Sequence, residues 1–77
     1  MGDGFEIATR RFRELEMPYW LGVTQLEHAE QLIETGRSDE AEPLLAEASG
    51  IFERLRAEPW LRRARLAARE RDTAHRP

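Results

Sequence analysis

The sequence predicts an all-α protein: two antiparallel helical hairpins, about four helices, in a single domain covering residues 1–77. Three observations predict it. Apolar residues recur at spacings of three and four, the period of one helix face. Prolines and glycines stand where those stripes start and stop. A forty-residue echo runs along the chain, with FRELEMPYWL beginning at Phe12 and FERLRAEPWL at Phe52. Phe12 and Phe52, Leu15 and Leu55, Trp20 and Trp60, and Leu21 and Leu61 are each 40 positions apart. Ala8 with Ala48, and Leu26 with Leu66, keep the same offset. A repeat of this length implies one supersecondary unit whose apolar face is covered by the next copy. Stacks of such units generally serve as binding surfaces for other macromolecules.

The first helix is expected over residues 4–16, where Phe5, Ala8, Phe12 and Leu15 form one stripe. Pro18 ends it, because the residue before a proline avoids the helical region. The same proline suits the first turn of the next helix, where a missing N–H costs nothing. That second helix is expected over residues 18–35, with Leu26, Ala29, Leu32 and Ile33 inward and Trp20 and Val23 extending the stripe. Gly36 follows as its stop, since glycine takes a positive φ without steric cost.

The third helix is expected to start at Ser38 or Asp39, either able to cap free N–H groups. Asp39, Glu40 and Glu42 place negative charge at the positive end of its dipole. Ala41, Leu44, Leu45, Ala48, Ile51, Phe52 and Leu55 make a broad apolar face, and Pro43 lies about one turn in. Gly50 weakens the helix by about 1 kcal/mol relative to alanine, a loss that close approach of a neighbouring helix would explain. The fourth helix is expected over residues 59–71, opened by Pro59, with Trp60, Leu61, Ala64 and Ala67 or Ala68 inward. Residues 73–77 are expected to fray. Short connections make successive helices antiparallel neighbours.

Composition narrows the function. The chain has 77 residues and no cysteine, which excludes disulfides and thiolate metal sites and fits a reducing cytoplasm. Its longest apolar stretch, residues 17–23, is too short to span a bilayer and contains a proline. The start, MGDGFE, has neither the basic region nor the apolar core of a secretion signal. All twelve basic residues are arginine. Residues 59–77 carry six arginines against two acids, a net of +4, while residues 1–58 carry six against thirteen, a net of -7. An acidic body with a basic tail favours head-to-tail contact or an acidic partner, though a solvated helix face accounts for it more simply. No aromatic residue is interleaved with the arginines after Trp60, which argues against nucleic acid.

Residues 19–61 resemble the tetratricopeptide family in its forty-residue variety. Ala29 stands at the small-residue site of the first helix, Gly36 at the turn, and Ala41 and Ala48 seven apart in the second helix, with Leu45 between them. The string GRSDEAEPLLAEAS resembles the family's turn and second helix. His28, Leu32 and Ser38 depart from the family pattern. Phe52, Leu55, Pro59, Trp60 and the pair Arg63–Ala64 resemble the C-terminal ends of actinobacterial regulators. Those join an ATPase module to such repeats, often with a nucleotide-cyclase or helix-turn-helix output domain. None of the ATPase, cyclase or DNA-reading motifs is present, so those activities do not transfer.

The resemblance implies tetratricopeptide-like stacking and a non-enzymatic protein–protein interaction module. The chain would be the terminal repeats of a regulatory protein or a small self-associating protein. The alternative is a regulatory C-terminal segment of a cyclase or ATPase. The implied partner is a protein or peptide, a second copy, or upstream repeats of the same array. In this family the first helix of each hairpin lines the concave groove, which makes Val23, Glu30, Glu34 and Arg65 candidate contacts. The expected core is Phe12, Leu15, Trp20, Leu26, Ala29, Ala41, Leu45, Ala48, Phe52, Leu55 and Trp60.

Chemistry finds little support in the residues. His28 and His75 are not spaced as a metal pair, and no glycine-rich phosphate loop exists, so neither metal nor cofactor is expected. The glutamates spread over helix faces as solvating groups. Fewer than three repeats seldom make a stable stack. Marginal stability or self-association is therefore expected, a dimer covering the outer edge of the first helix near Phe5, Ile7 and Phe12.

Overall fold

A computed structural model describes the backbone of residues 3–75 and the side chains of residues 4–72. It contains four helices: α1 (Asp3–Glu14), α2 (Pro18–Glu34), α3 (Ser38–Leu55) and α4 (Glu58–His75), with no strand among the described residues. The all-α fold with about four helices is thus as expected. The helical backbone continues through residues 73–75, which were expected to fray, while residues 76 and 77 lie outside the described part.

The three turns share one hydrogen-bond pattern. Glu16, Gly36 and Arg56 take positive φ angles of 53°, 81° and 56°. At each, the N–H of the next residue reaches back across the turn: Met17 to the Phe12 carbonyl, Arg37 to Leu32 and Ala57 to Phe52, at 2.9, 2.7 and 2.9 Å. The positive-φ residue donates to the carbonyl three before it, as Glu16 does to Arg13, Gly36 to Ile33 and Arg56 to Glu53. This is the Schellman closure, which satisfies the last carbonyls of a helix. The three turn residues are spaced 20 apart, so each half of the forty-residue repeat is itself one helix and one turn. Only the middle turn carries glycine.

Pro18 starts α2 as expected. The start of α3 differs from expectation. Neither Ser38 nor Asp39 is the cap; Arg37 holds that position without a side-chain cap bond, and Ser38 is already helical and buried. The Arg37 guanidinium instead clamps Glu40 through two bonds of 2.6 and 2.7 Å, tying down the first turn. The helix passes through Pro43.

Consecutive helices run antiparallel. Phe52 at the end of α3 lies against Trp60 at the start of α4, and Phe12 at the end of α1 against Trp20 at the start of α2. Helix α2 is central and packs against α1, α3 and α4; α4 lies across both α3 and α2. The molecule is a slab about 40 × 29 × 15 Å. Its core is built from Leu26, Ala29, Leu32 and Ile33 of α2, Ala41, Leu45, Ala48 and Phe52 of α3, and Leu61, Ala64 and Ala67 of α4. Ala29, Ala41 and Ala48 are fully buried, and their small side chains let α2 and α3 approach. A close approach is also made at Gly22, where a β-carbon would lie 2.9 Å from Phe52 Cε1 and 3.2 Å from Ile51 Cγ2. Gly50, expected to mark that contact, has open space where its β-carbon would be.

Three residues assigned to the core are exposed: Leu15 (64%), Trp20 (48%) and Leu55 (43%). Leu15 and Trp20 flank the α1–α2 turn, where the fold supplies neighbours on one side only. Leu55 is the last helical residue of α3, beyond the reach of the core. Helix α1 contributes no fully buried side chain among its described residues.

Candidate functional site

Five aromatic side chains form one continuous ladder at one end of the slab. Phe12 stacks on Trp20 at 6.5 Å, Trp20 meets Tyr19 edge-on at 5.1 Å, Tyr19 meets Trp60 edge-on at 6.2 Å, and Trp60 stacks on Phe52 at 5.9 Å. The antiparallel helices place these rings together, because all five lie near a turn at the same end. Aromatic pairs of this geometry contribute about 0.5–1.5 kcal/mol each beyond their buried area.

The two ends of the ladder are unequal although the repeat makes them equivalent. Each tryptophan stacks on the phenylalanine eight residues before it. Trp60 gains more: its indole N–H donates to Tyr19 Oη at 2.8 Å, and the Arg63 guanidinium lies 5.3 Å from its ring centroid. Arg63 is held by two bonds to Glu30, of 2.6 and 2.8 Å, which also raise its pKa. Trp20 has no equivalent hydrogen bond or guanidinium cover among the described residues and is 48% exposed. Among the described residues, five of the seven exposed large apolar residues belong to α1, the turn after it and the start of α2: Ile7 (54%), Leu15, Met17, Tyr19 and Trp20, the other two being Leu55 of α3 and Leu66 of α4. Phe5, the remaining aromatic, fastens α1 to α2 by stacking on His28 at 4.8 Å.

A polar network ties three helices together. Glu47 of α3 accepts two bonds from Arg13 of α1, at 2.9 and 3.1 Å, and one from Gln25 of α2, at 2.6 Å. The bond from Arg13 holds the Glu47 carboxyl below the usual range, helped by Gln25 and opposed by burial. Gln25 is buried and its Oε1 has no protein partner. Its place in a polar stretch, TQLEH, gives no sign of burial; only the meeting of α1 and α3 over α2 creates it. Arg71 similarly bridges α4 to Glu42 of α3 at 3.0 Å.

The expected partner contacts are dispersed. Val23 is buried in the core and unavailable to a partner: three helices pack around this part of α2, so its stripe is covered on more than one side. Glu30 is engaged by Arg63. Glu34 and Arg65 are exposed. A cavity of about 770 Å³ is an open groove where α1 and α3 diverge over α2. Its walls alternate charge, with Glu6, Arg10 and Glu14 facing Arg37 and Glu40 over a floor of Leu32. Among the described residues, no cluster of three or more His, Asp or Glu side chains is arranged to hold a metal. No described helix is long and apolar enough to cross a membrane.

No protein-family model, curated protein or solved structure matches the chain.

Proposed function

We propose that the chain is a non-enzymatic protein–protein interaction module built from tetratricopeptide-like repeats, acting through the open side of α1 and the start of α2. The observation that carries this reading is the unequal cover of two equivalent tryptophans. Trp60 is bonded to Tyr19 of the preceding hairpin, while Trp20 stands at an apolar edge where the pattern of packing stops. An apolar edge on a small helical protein marks an interaction site more often than a catalytic one. The exposed side of α4 supports the same reading. Arg62, Arg65 and Arg69 of α4 are exposed there, the charged outer face expected of a terminal helix in a stack.

Placing a photo-crosslinking amino acid at Ile7 in cells that make the chain tests this. Protein adducts are expected from Ile7 and not from Arg62 on α4. Their absence from Ile7 removes the reading.

A further inference from the structure

We propose that the open face of α1 pairs with the same face of a second copy of this chain, about a two-fold axis near Arg11. This rests on the interaction reading above and names its partner. The repeat first suggests another arrangement. Helix α1 is equivalent to α3, and α4 to α2, at the offset of 40. A head-to-tail copy would therefore set its α4 against α1, as α2 lies against α3. The residues oppose it. Arg62 replaces Gly22, where even a β-carbon would lie 2.9 Å from a ring, and Arg11 replaces Ile51 at the same contact. The Arg62 side chain would have to fit where even a β-carbon is too close.

The α1 face can instead pair with itself, with Glu14 of each copy offsetting the charge of the two Arg11 side chains that face each other near the axis. Ile7 and Arg11 lie along this face, and Leu15 follows in the turn just beyond its end, at spacings of four, all exposed. Antiparallel pairing centred on Arg11 sets Ile7 of each copy against Leu15 of the other. It also brings each Arg11 within about 4.5 Å, along the helix axis, of the level of Glu14 in the other copy. Arginine stems cover apolar surface while their charged ends reach a carboxylate. Trp20 and Met17 widen the contact beyond the helix itself. A standard interface buries about 800 Å² on each partner, roughly one seventh of this chain's 5488 Å². A face of one short helix falls at or below that size, so the dimer is expected to be reversible. Two-fold pairing is also the commonest closed symmetry for identical chains.

Sedimentation equilibrium of the purified full chain is expected to show the mass rising from one chain to two with concentration. Leu15→Glu should abolish that rise and keep the helical circular dichroism, since Leu15 is exposed; Leu66→Glu on α4 should leave it intact. The chain has no cysteine. Arg11→Cys alone should therefore form disulfide-linked dimers under mild oxidation, which only the two-fold arrangement allows. Head-to-tail pairing would instead require a mixture of Arg11→Cys and Arg62→Cys chains. A single-chain mass up to about 1 mM, or linkage only in that mixture, would overturn the proposal. A monomer that still gives protein adducts from Ile7 would end the dimer and leave the interaction reading standing.

Discussion

Gly22 lies so close to Phe52 that a β-carbon on it would sit 2.9 Å from one ring carbon and 3.1 Å from the next. The two residues set how closely the start of α2 approaches the end of α3. Gly22→Ala should therefore destabilise. Overpacking a core costs about 1–3 kcal/mol, and the helix-propensity gain of about 1 kcal/mol offsets only part of it. Gly50→Ala meets nothing within 4 Å and should stabilise by about 0.5–1 kcal/mol. Thermal unfolding of the two variants should shift in opposite directions; a shared direction would contradict the assigned contact.

Trp60 and Trp20 should respond differently to truncation despite their equivalence in the repeat. Trp60→Ala removes a ring stacked on Phe52 and bonded to Tyr19, and should cost about 3 kcal/mol, the lower end for a buried tryptophan. Trp20→Ala removes an exposed ring with one stacking and one edge-on partner, and should cost about 1 kcal/mol. Tyr19→Phe isolates the hydrogen bond and should cost about 0.5 kcal/mol, since water can replace part of it. Equal losses for the two tryptophans, read by chemical denaturation at a concentration where the chain is monomeric, would refute the asymmetry.

The turns offer a test in which glycine helps at two positions and is needed at the third. Glu16 and Arg56 hold positive φ angles that cost a side-chain-bearing residue about 1 kcal/mol. Glu16→Gly and Arg56→Gly should each raise the melting temperature, and Gly36→Ala should lower it. A fall in melting temperature for both glycine variants would mean that these turns are not closed as described.

Glu47 links folding to pH. Its folded pKa is lowered by Arg13, so its unfolded value is the higher of the two. The associated stability is complete above the unfolded value of about 4.3 and is lost as pH falls toward the folded one. Both side chains of the pair are partly exposed, which limits the effect to about 1 kcal/mol or less. Glu47→Gln should therefore be less stable than the parent at pH 6, with the gap closing by pH 3. A gap that does not change with pH would assign the loss to packing instead.

The sequence by itself determined the elements. Stripes at helical spacing, Pro18 and Gly36 set where helices begin and end, because these signals act within a few residues of the chain. It also marked Leu26, Ala29, Ala41, Leu45, Ala48 and Phe52 as core, since each lies on the single face that a hairpin must bury. Only tertiary structure decided which apolar residues are covered, and that Trp60 is better covered than its equivalent Trp20. Leu15, Trp20 and Leu55 carry the same local signal as buried residues, and they are exposed because the helices pack to one side of them. The same holds in reverse for Gln25, a polar residue that α2 buries because three helices pack against it. Gly22 shows the difference most directly: a glycine early in a helix looks like a weakness until Phe52, thirty positions later, is seen lying against it. Burial depends on contacts between residues far apart in the chain, and periodicity reports only those close together.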